Sequence, residues 1–215
     1  MHQLLHNFTE SLLSLNKIAA RNILAEALEA NNSPIEALDN IVVPALEQIG
    51  TGWESGSVAL SQVYMSGRIC EGIIGSLLPM DKLDKKSDIK MGIAVLEDHH
   101  ALGKRIVYSL LQSGGFPLQD YGHGLEVNDL VAKVKRDEIE IILISTLMLP
   151  SALKIKEFTD KLKSRSLNTK VIVGGAPFLF DKELWRYVSA DAMGRSAADA
   201  LNIIKRMVNE KSWKS

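Results

Sequence analysis

In the stretch Glu97-Asp98-His99-His100-Ala101-Leu102-Gly103 a carboxylate and an imidazole stand two residues apart. A buried Asp98 that accepts a hydrogen bond from one ring nitrogen of His100 fixes its tautomer. The other nitrogen becomes more basic and faces a metal. Gly103 gives room where backbone meets a bulky group. Ser145-Thr146-Leu147 places a hydroxyl where Ser145 supports Asp98, provided that both segments end neighbouring strands. In Gly174-Gly175-Ala176-Pro177 two positions without side chains open a slot between a strand end and a helix. Each signal alone is common, and a lone loop histidine is usually solvated or satisfied in a core. Their combination carries the weight.

Such residues need a scaffold that brings distant segments to one edge. From Lys90 onward the apolar runs MGIAVLE, IEIILIST and KVIVGG read as buried parallel strands. Two weaker strands, PLQDYG and ADAMG, complete five strand and helix pairs ending in SAADALNIIKRMVNE. This alternation predicts an α/β fold, a flavodoxin-like (Rossmann-type) sheet of five parallel strands, with ligands outside the carboxyl ends. The segments after Glu97, Gly122, Ile144, Val173 and Met193 lie at that edge. Among Tyr121, Gly122 and His123, Gly122 is the best candidate to approach a ligand. Gly194 and nearby N–H groups can meet a ligand tail, the alternative being helix capping by Ser196.

The first 80 residues show helical apolar spacing, as in Leu12, Leu15, Ile18 and Ala19, and predict an N-terminal four-helix bundle. Breaks are expected at Asn31 to Pro34 and around IGTGWESGS. The charged stretch Asp81 to Asp88 reads as the connection, giving domains 1–84 and 85–215. With 46% hydrophobic and 24% charged residues the chain is in the ordinary folded range. A net charge of −1 provides no basic field for nucleic acid or an anionic membrane. No apolar run approaches the roughly 20 residues of a membrane span. The single cysteine, Cys70, cannot form an internal disulfide and reads as a small packed hydrophobe. With no leader pattern at the N-terminus, the expected location is the reducing cytoplasm.

Asp-x-His-x-x-Gly, then 41 residues, Ser-x-Leu, then 26 residues, Gly-Gly closely resembles the signature of the cobalamin-binding proteins shared by methionine synthase, corrinoid methyltransferase subunits and base-off mutases. The resemblance implies that His100 replaces the cofactor's own dimethylbenzimidazole as lower cobalt ligand. It also implies that the displaced nucleotide tail enters a slot lined by Ser145, Gly174 and Gly175 and met by Gly194, with Asp98, Gly103, Gly122 and Leu147 as further cofactor-binding residues. Ile49 to Ser66 looks like the four-helix cap of methionine synthase and corrinoid proteins, which makes Trp53, Val63 and Met65 candidates to shield the upper face of the cobalt from water and oxygen. For each of these three, ordinary core packing is at least as common a role.

The function so implied is methyl carriage on cobalt between a donor methyltransferase and an acceptor methyltransferase. The acceptor is a tetrahydrofolate or similar compound, and a reductive activase restores the cofactor. Nothing in the chain reads the donor, and 215 residues leave no room for a substrate barrel of about 250. The rival is a cobalamin-dependent sensor. Related regulators resemble Trp, nine residues, then Glu-His in the cap, whereas Trp53 here is followed at that spacing by Val63-Tyr64.

Overall fold

The computed structural model describes residues 2–30, 34–77 and 88–212. It divides into two units, Met1–Pro79 and Met80–Ser215. The expected boundary at residue 84, and the whole Asp81 to Asp88 connection except Asp88, lie outside the described residues.

The first unit is helical: α1 (His2–Leu13), α2 (Lys17–Ala30), α3 (Pro34–Ala37), α4 (Val43–Glu54) and α5 (Leu60–Leu77). A π-helical turn, Leu38–Val42, fuses α3 to α4, so the unit has four rods as the spacing predicts. The π turn has a local cause, because Pro44 has no N–H to donate one turn back, and the Val43 N–H reaches to the Leu38 carbonyl. Helix α1 packs on α2, α4 and α5, around the fully buried Phe8, Leu12, Leu24, Ile41, Ile49 and Ile73. Cys70 is buried there as expected.

One helical expectation needs correction. Leu12, Leu15, Ile18 and Ala19 do not form one buried face: Leu15 sits at a left-handed φ of 58° between α1 and α2, and Ile18 is 75% exposed. The Asn16 N–H closes α1 on the Ser11 carbonyl, and its Oδ1 caps α2 at the Ala19 N–H, 3.0 Å away. That cap interrupts the helix where apolar spacing alone carries it on. The break expected around Ile49 to Ser57 falls in the latter part of that stretch, where α4 ends at Glu54.

In the second unit β1 (Met91–Val95), β2 (Gln119–Asp120), β3 (Ile141–Ser145), β4 (Lys170–Gly174) and β5 (Ala192–Gly194) form a parallel sheet in the order β2-β1-β3-β4-β5. This is the flavodoxin-like order. Helices α6 (Leu102–Ser113), α7 (Val127–Arg136), α8 (Leu149–Ser164) and α11 (Ala197–Ser212) alternate with the strands. Every residue of β1, and all of β3 except Ser145, is buried, which is why both strands read as unbroken apolar runs. After β4 the expected single helix is two short ones, α9 (Ala176–Phe180) and α10 (Leu184–Tyr187). The Asp181 carboxylate turns the chain between them by accepting the Glu183 N–H. Among the described residues no helix is long and apolar enough to cross a membrane.

Candidate functional site

Chain direction across the sheet reverses between β1 and β3, the place where such sheets open a crevice for ligands. Just past β1, Glu97 adopts a left-handed φ of 45°, a conformation of order 1 to 3 kcal/mol above the usual for a residue with a side chain. It is held by its own N–H on the Leu125 carbonyl and by the buried Ser151, whose hydroxyl donates to the Glu97 carbonyl at 3.0 Å. The turn brings Asp98 inward, 4% exposed.

Both oxygens of Asp98 are fully used. Oδ1 accepts the His100 N–H at 3.0 Å and the His100 ring at Nδ1, 2.5 Å away. Oδ2 accepts the N–H groups of Leu147 at 3.0 Å and Met148 at 3.2 Å, from the loop after β3. Burial pushes the Asp98 carboxyl up, but the hydrogen bonds from the His100 backbone and ring and from Leu147 and Met148 outweigh it and bring it down to about 2. An ionised carboxylate only accepts, so the Nδ1 of His100 carries a proton and Nε2 is the ring nitrogen left free of Asp98. The ring remains 48% exposed. It is a directed, accessible imidazole, of the kind that can serve as a metal ligand.

Ser145 does not support Asp98, contrary to expectation, because the Leu147 and Met148 amides occupy the position expected of it. Its hydroxyl instead faces Gly103, where a Cβ would lie 3.0 Å from it. Gly103 thus lets the start of α6 close against β3. Leu147, Met148 and Leu149 are about half exposed, at 47, 50 and 53%. They form an apolar lip beside Asp98, of the kind that marks a ligand surface.

At β4 and β5 the site is formed by missing side chains. Gly174 pairs with Gly194, and a Cβ on Gly174 would meet the Gly194 carbonyl at 3.0 Å. Gly175 has φ +114°, and a Cβ there would lie 1.8 Å from the Thr146 carbonyl oxygen. Thr146 is buried, and its Oγ1 has no hydrogen-bond partner; the sequence reading passed over it. Ser196 caps α11 at the Asp199 N–H, 3.1 Å away.

Of the three candidates after β2, Tyr121 is turned away: its ring covers Gly92 and its hydroxyl donates to Asp137 at 2.7 Å. His123 faces His99, with Nδ1 to Nδ1 at 3.3 Å. Gly122 has φ +88° and open space at its missing Cβ. The sequence reading also missed the buried Lys104, paired with Asp120, and Ser151, because no local pattern distinguishes them from helix surface residues.

In the helical unit Trp53 is 49% and Met65 39% exposed, and Val63 is half-buried. Trp53 and Met65 are therefore apolar surface and not core. An open depression of about 790 Å³ along α8, lined by Leu153, Lys154, Glu157, Lys161 and Tyr187, contains none of the site residues.

A parallel sheet whose switch point carries a carboxylate-held imidazole, an apolar lip and a glycine-walled edge defines a cofactor-binding domain. Residues 90–205 match the B12 binding domain family, and residues 4–78 match a second B12 binding domain model; the chain belongs to the B12-binding family. It is 30% identical to monomethylamine corrinoid protein 1 of Methanosarcina mazei, over 94% of this chain and 98% of that protein. It is 29% identical to the trimethylamine corrinoid protein of Methanosarcina barkeri, over 93% and 94%. The structure of the Methanosarcina barkeri monomethylamine corrinoid protein shares the fold, with a TM-score of 0.84, 22% identity and coverage of 96% and 99%. The residues present fit a cobalamin-type corrinoid. One imidazole nitrogen is left free of the carboxylate on a half-exposed ring, and positions where a Cβ would clash line the neighbouring edge.

Proposed function

We propose that the chain is a corrinoid methyl carrier, binding its cofactor base-off with His100 as lower cobalt ligand and passing methyl groups between two methyltransferases. Bound there, the corrinoid supplies a cobalt that accepts a methyl group from one substrate and yields it to another. The chain's residues hold and orient it. His100 Nε2 provides the axial nitrogen, and Asp98 keeps the ring in the required tautomer and direction. Gly122, Leu147 and Gly103 shape the surface around that nitrogen. Ser145, Gly174, Gly175 and Gly194 line the slot for the nucleotide tail, and the orphan hydroxyl of Thr146 is a donor close to it. Trp53, Val63 and Met65 of the helical unit exclude water from the upper face.

The observation that carries this reading is the Asp98–His100 pair at the β1/β3 switch point, ring proton engaged and Nε2 left free of the carboxylate. Relatives named for monomethylamine and trimethylamine are almost equally similar, so the donor class is a methylamine and its degree of methylation is open. The methyl acceptor, a tetrahydrofolate or similar compound, and a reductive activase belong to the same proposal. So does a domain boundary at residues 84 and 85.

The test is reconstitution with cobalamin followed by electron paramagnetic resonance of the Co(II) form. Nitrogen splitting should change when the protein's histidines carry nitrogen-15, and it should disappear in His100→Ala. Splitting unchanged by the label overturns the ligand assignment. Methyl carriage is checked by mixing the reduced, loaded chain with methylamines. Methylation should begin only when a methyltransferase is added, and rapid turnover by the chain alone overturns the carrier role.

A further inference from the structure

The ladder beside β1 is interrupted at His123 and Gly124. The Tyr121 N–H bonds to the Ile93 carbonyl and the Val95 N–H to the Gly122 carbonyl, and pairing resumes with Leu125 N–H on the Val95 carbonyl. Between them Gly122 and Gly124 both take positive φ, +88° and +69°, and the chain bulges toward the histidines. The Gly124 N–H donates to the Asp98 carbonyl at 2.7 Å. The His99 ring lies over Gly124, where a Cβ would come within 2.5 Å of it. The bulge therefore bears directly on the segment that carries His100.

Its base is held by an ion pair. Lys104, in the first turn of α6, is 4% exposed, and its ammonium donates to both oxygens of Asp120. Asp120 Oδ1 also accepts the Gly122 N–H at 2.8 Å. The contacts close a ring: Asp98 to His100, on through the chain to Lys104, across to Asp120, to Gly122, through the bulge to Gly124 and back to the Asp98 carbonyl. The pair is buried on the lysine side only, Asp120 being 36% exposed, and such a pair is poor evidence of stabilisation, because well-packed apolar residues of similar volume often do as well or better. Apolar residues cannot, however, orient an N–H. We propose that Lys104 and Asp120 are positioning residues for His100: their pair sets the Gly122–Gly124 bulge, which braces the Asp98–His99 backbone and so fixes where the His100 ring points. The functional part of this inference rests on His100 being the cobalt ligand; the bracing does not.

The test uses the full chain in two variants, Lys104→Met, which keeps the buried stem, and Lys104→Met with Asp120→Asn, which removes both charges at nearly constant volume. Amide hydrogen exchange without cofactor comes first. In both variants the amides of His100, Gly122 and Gly124 should exchange about five to tenfold faster, the effect of a weakened hydrogen bond. Those of Ile142 and Leu143 in β3 should keep wild-type rates. Wild-type rates at all three site amides, or acceleration extending equally into β3, overturns the proposal whether or not the protein binds cobalamin. With cobalamin bound, the share of Co(II) showing splitting from a protein nitrogen should fall in both variants while folded stability recovers in the double one. A wild-type chain without that splitting would count against the His100 assignment and leave the exchange result to decide the bracing. Undiminished splitting in both variants, with normal splitting in wild type, overturns the positioning role.

Discussion

The two halves of the site are built by opposite means. At the ends of β1 and β3 the geometry comes from groups that are present: a buried carboxylate with four hydrogen bonds, two from His100 and two from the amides after β3. At the ends of β4 and β5 it comes from what is missing, Gly174 and Gly175 against the carbonyls of Gly194 and Thr146, and Gly194 against Ala200. The first half specifies a direction for one nitrogen and so selects a chemistry. The second half specifies how closely backbone segments approach and so fixes the shape of that edge. Errors in them should differ in kind. Losing a hydrogen bond weakens ligation and leaves the fold in place, whereas adding a carbon to a closed backbone contact strains the fold itself.

The largest effect is expected on the glycine side. Gly175→Ala puts a carbon 1.8 Å from the Thr146 carbonyl at φ +114°, and should lower folding stability by about 3 kcal/mol or more in denaturant unfolding. A change within about 0.5 kcal/mol would break the comparison. The shape reading is sharpened with Gly174→Leu. Affinity for complete cobalamin should fall further than affinity for tail-less cobinamide, and equal losses would show that no tail enters there.

The carboxylate side comes next. The Asp98 carboxyl is lowered to about 2 from 3.8, so the folded state binds its proton less readily than the unfolded chain. The stability this provides is complete above about pH 4 and is lost as pH falls through 2, an amount of about 2 kcal/mol. Acid unfolding of the wild type should show this loss between pH 4 and 2, and Asp98→Asn should flatten that part of the profile. The same substitution should weaken His100 ligation of cobalt about 10 to 100-fold, measured by cofactor titration with the Co(II) spectrum as readout.

The smallest effects distinguish the two hydroxyl roles. Ser145→Ala should change ligation little and stability by about 0.5 kcal/mol or less, because Asp98 takes its bonds from backbone amides. A loss as large as that of Asp98→Asn would restore a relay through Ser145. Gly103→Ala, whose new carbon would sit 3.0 Å from the Ser145 hydroxyl, should be mildly destabilising alone and milder still combined with Ser145→Ala. Additive losses would show that the hydroxyl is not what Gly103 accommodates.

Features encoded by neighbours in sequence were legible without a structure. β1 and β3 stand out because strands covered on both faces must be apolar throughout, and the Asp98–His100 pair stands out because its members are two residues apart. The glycine pair at 174 and 175 was legible as a gap, though not what filled it. Leu15 and Ile18 misled the helical reading because Asn16 makes its cap through one amide oxygen, a signal weaker than four apolar residues at the right period. The tertiary structure alone decided which groups satisfy Asp98, since the amides of Leu147 and Met148 are 49 and 50 residues away and any residue except proline supplies an N–H. It also decided that Lys104 is buried against Asp120 and that Gly175 abuts Thr146. Those contacts depend on how strands and helices come together, and a backbone carbonyl or a buried ammonium leaves no pattern along the chain.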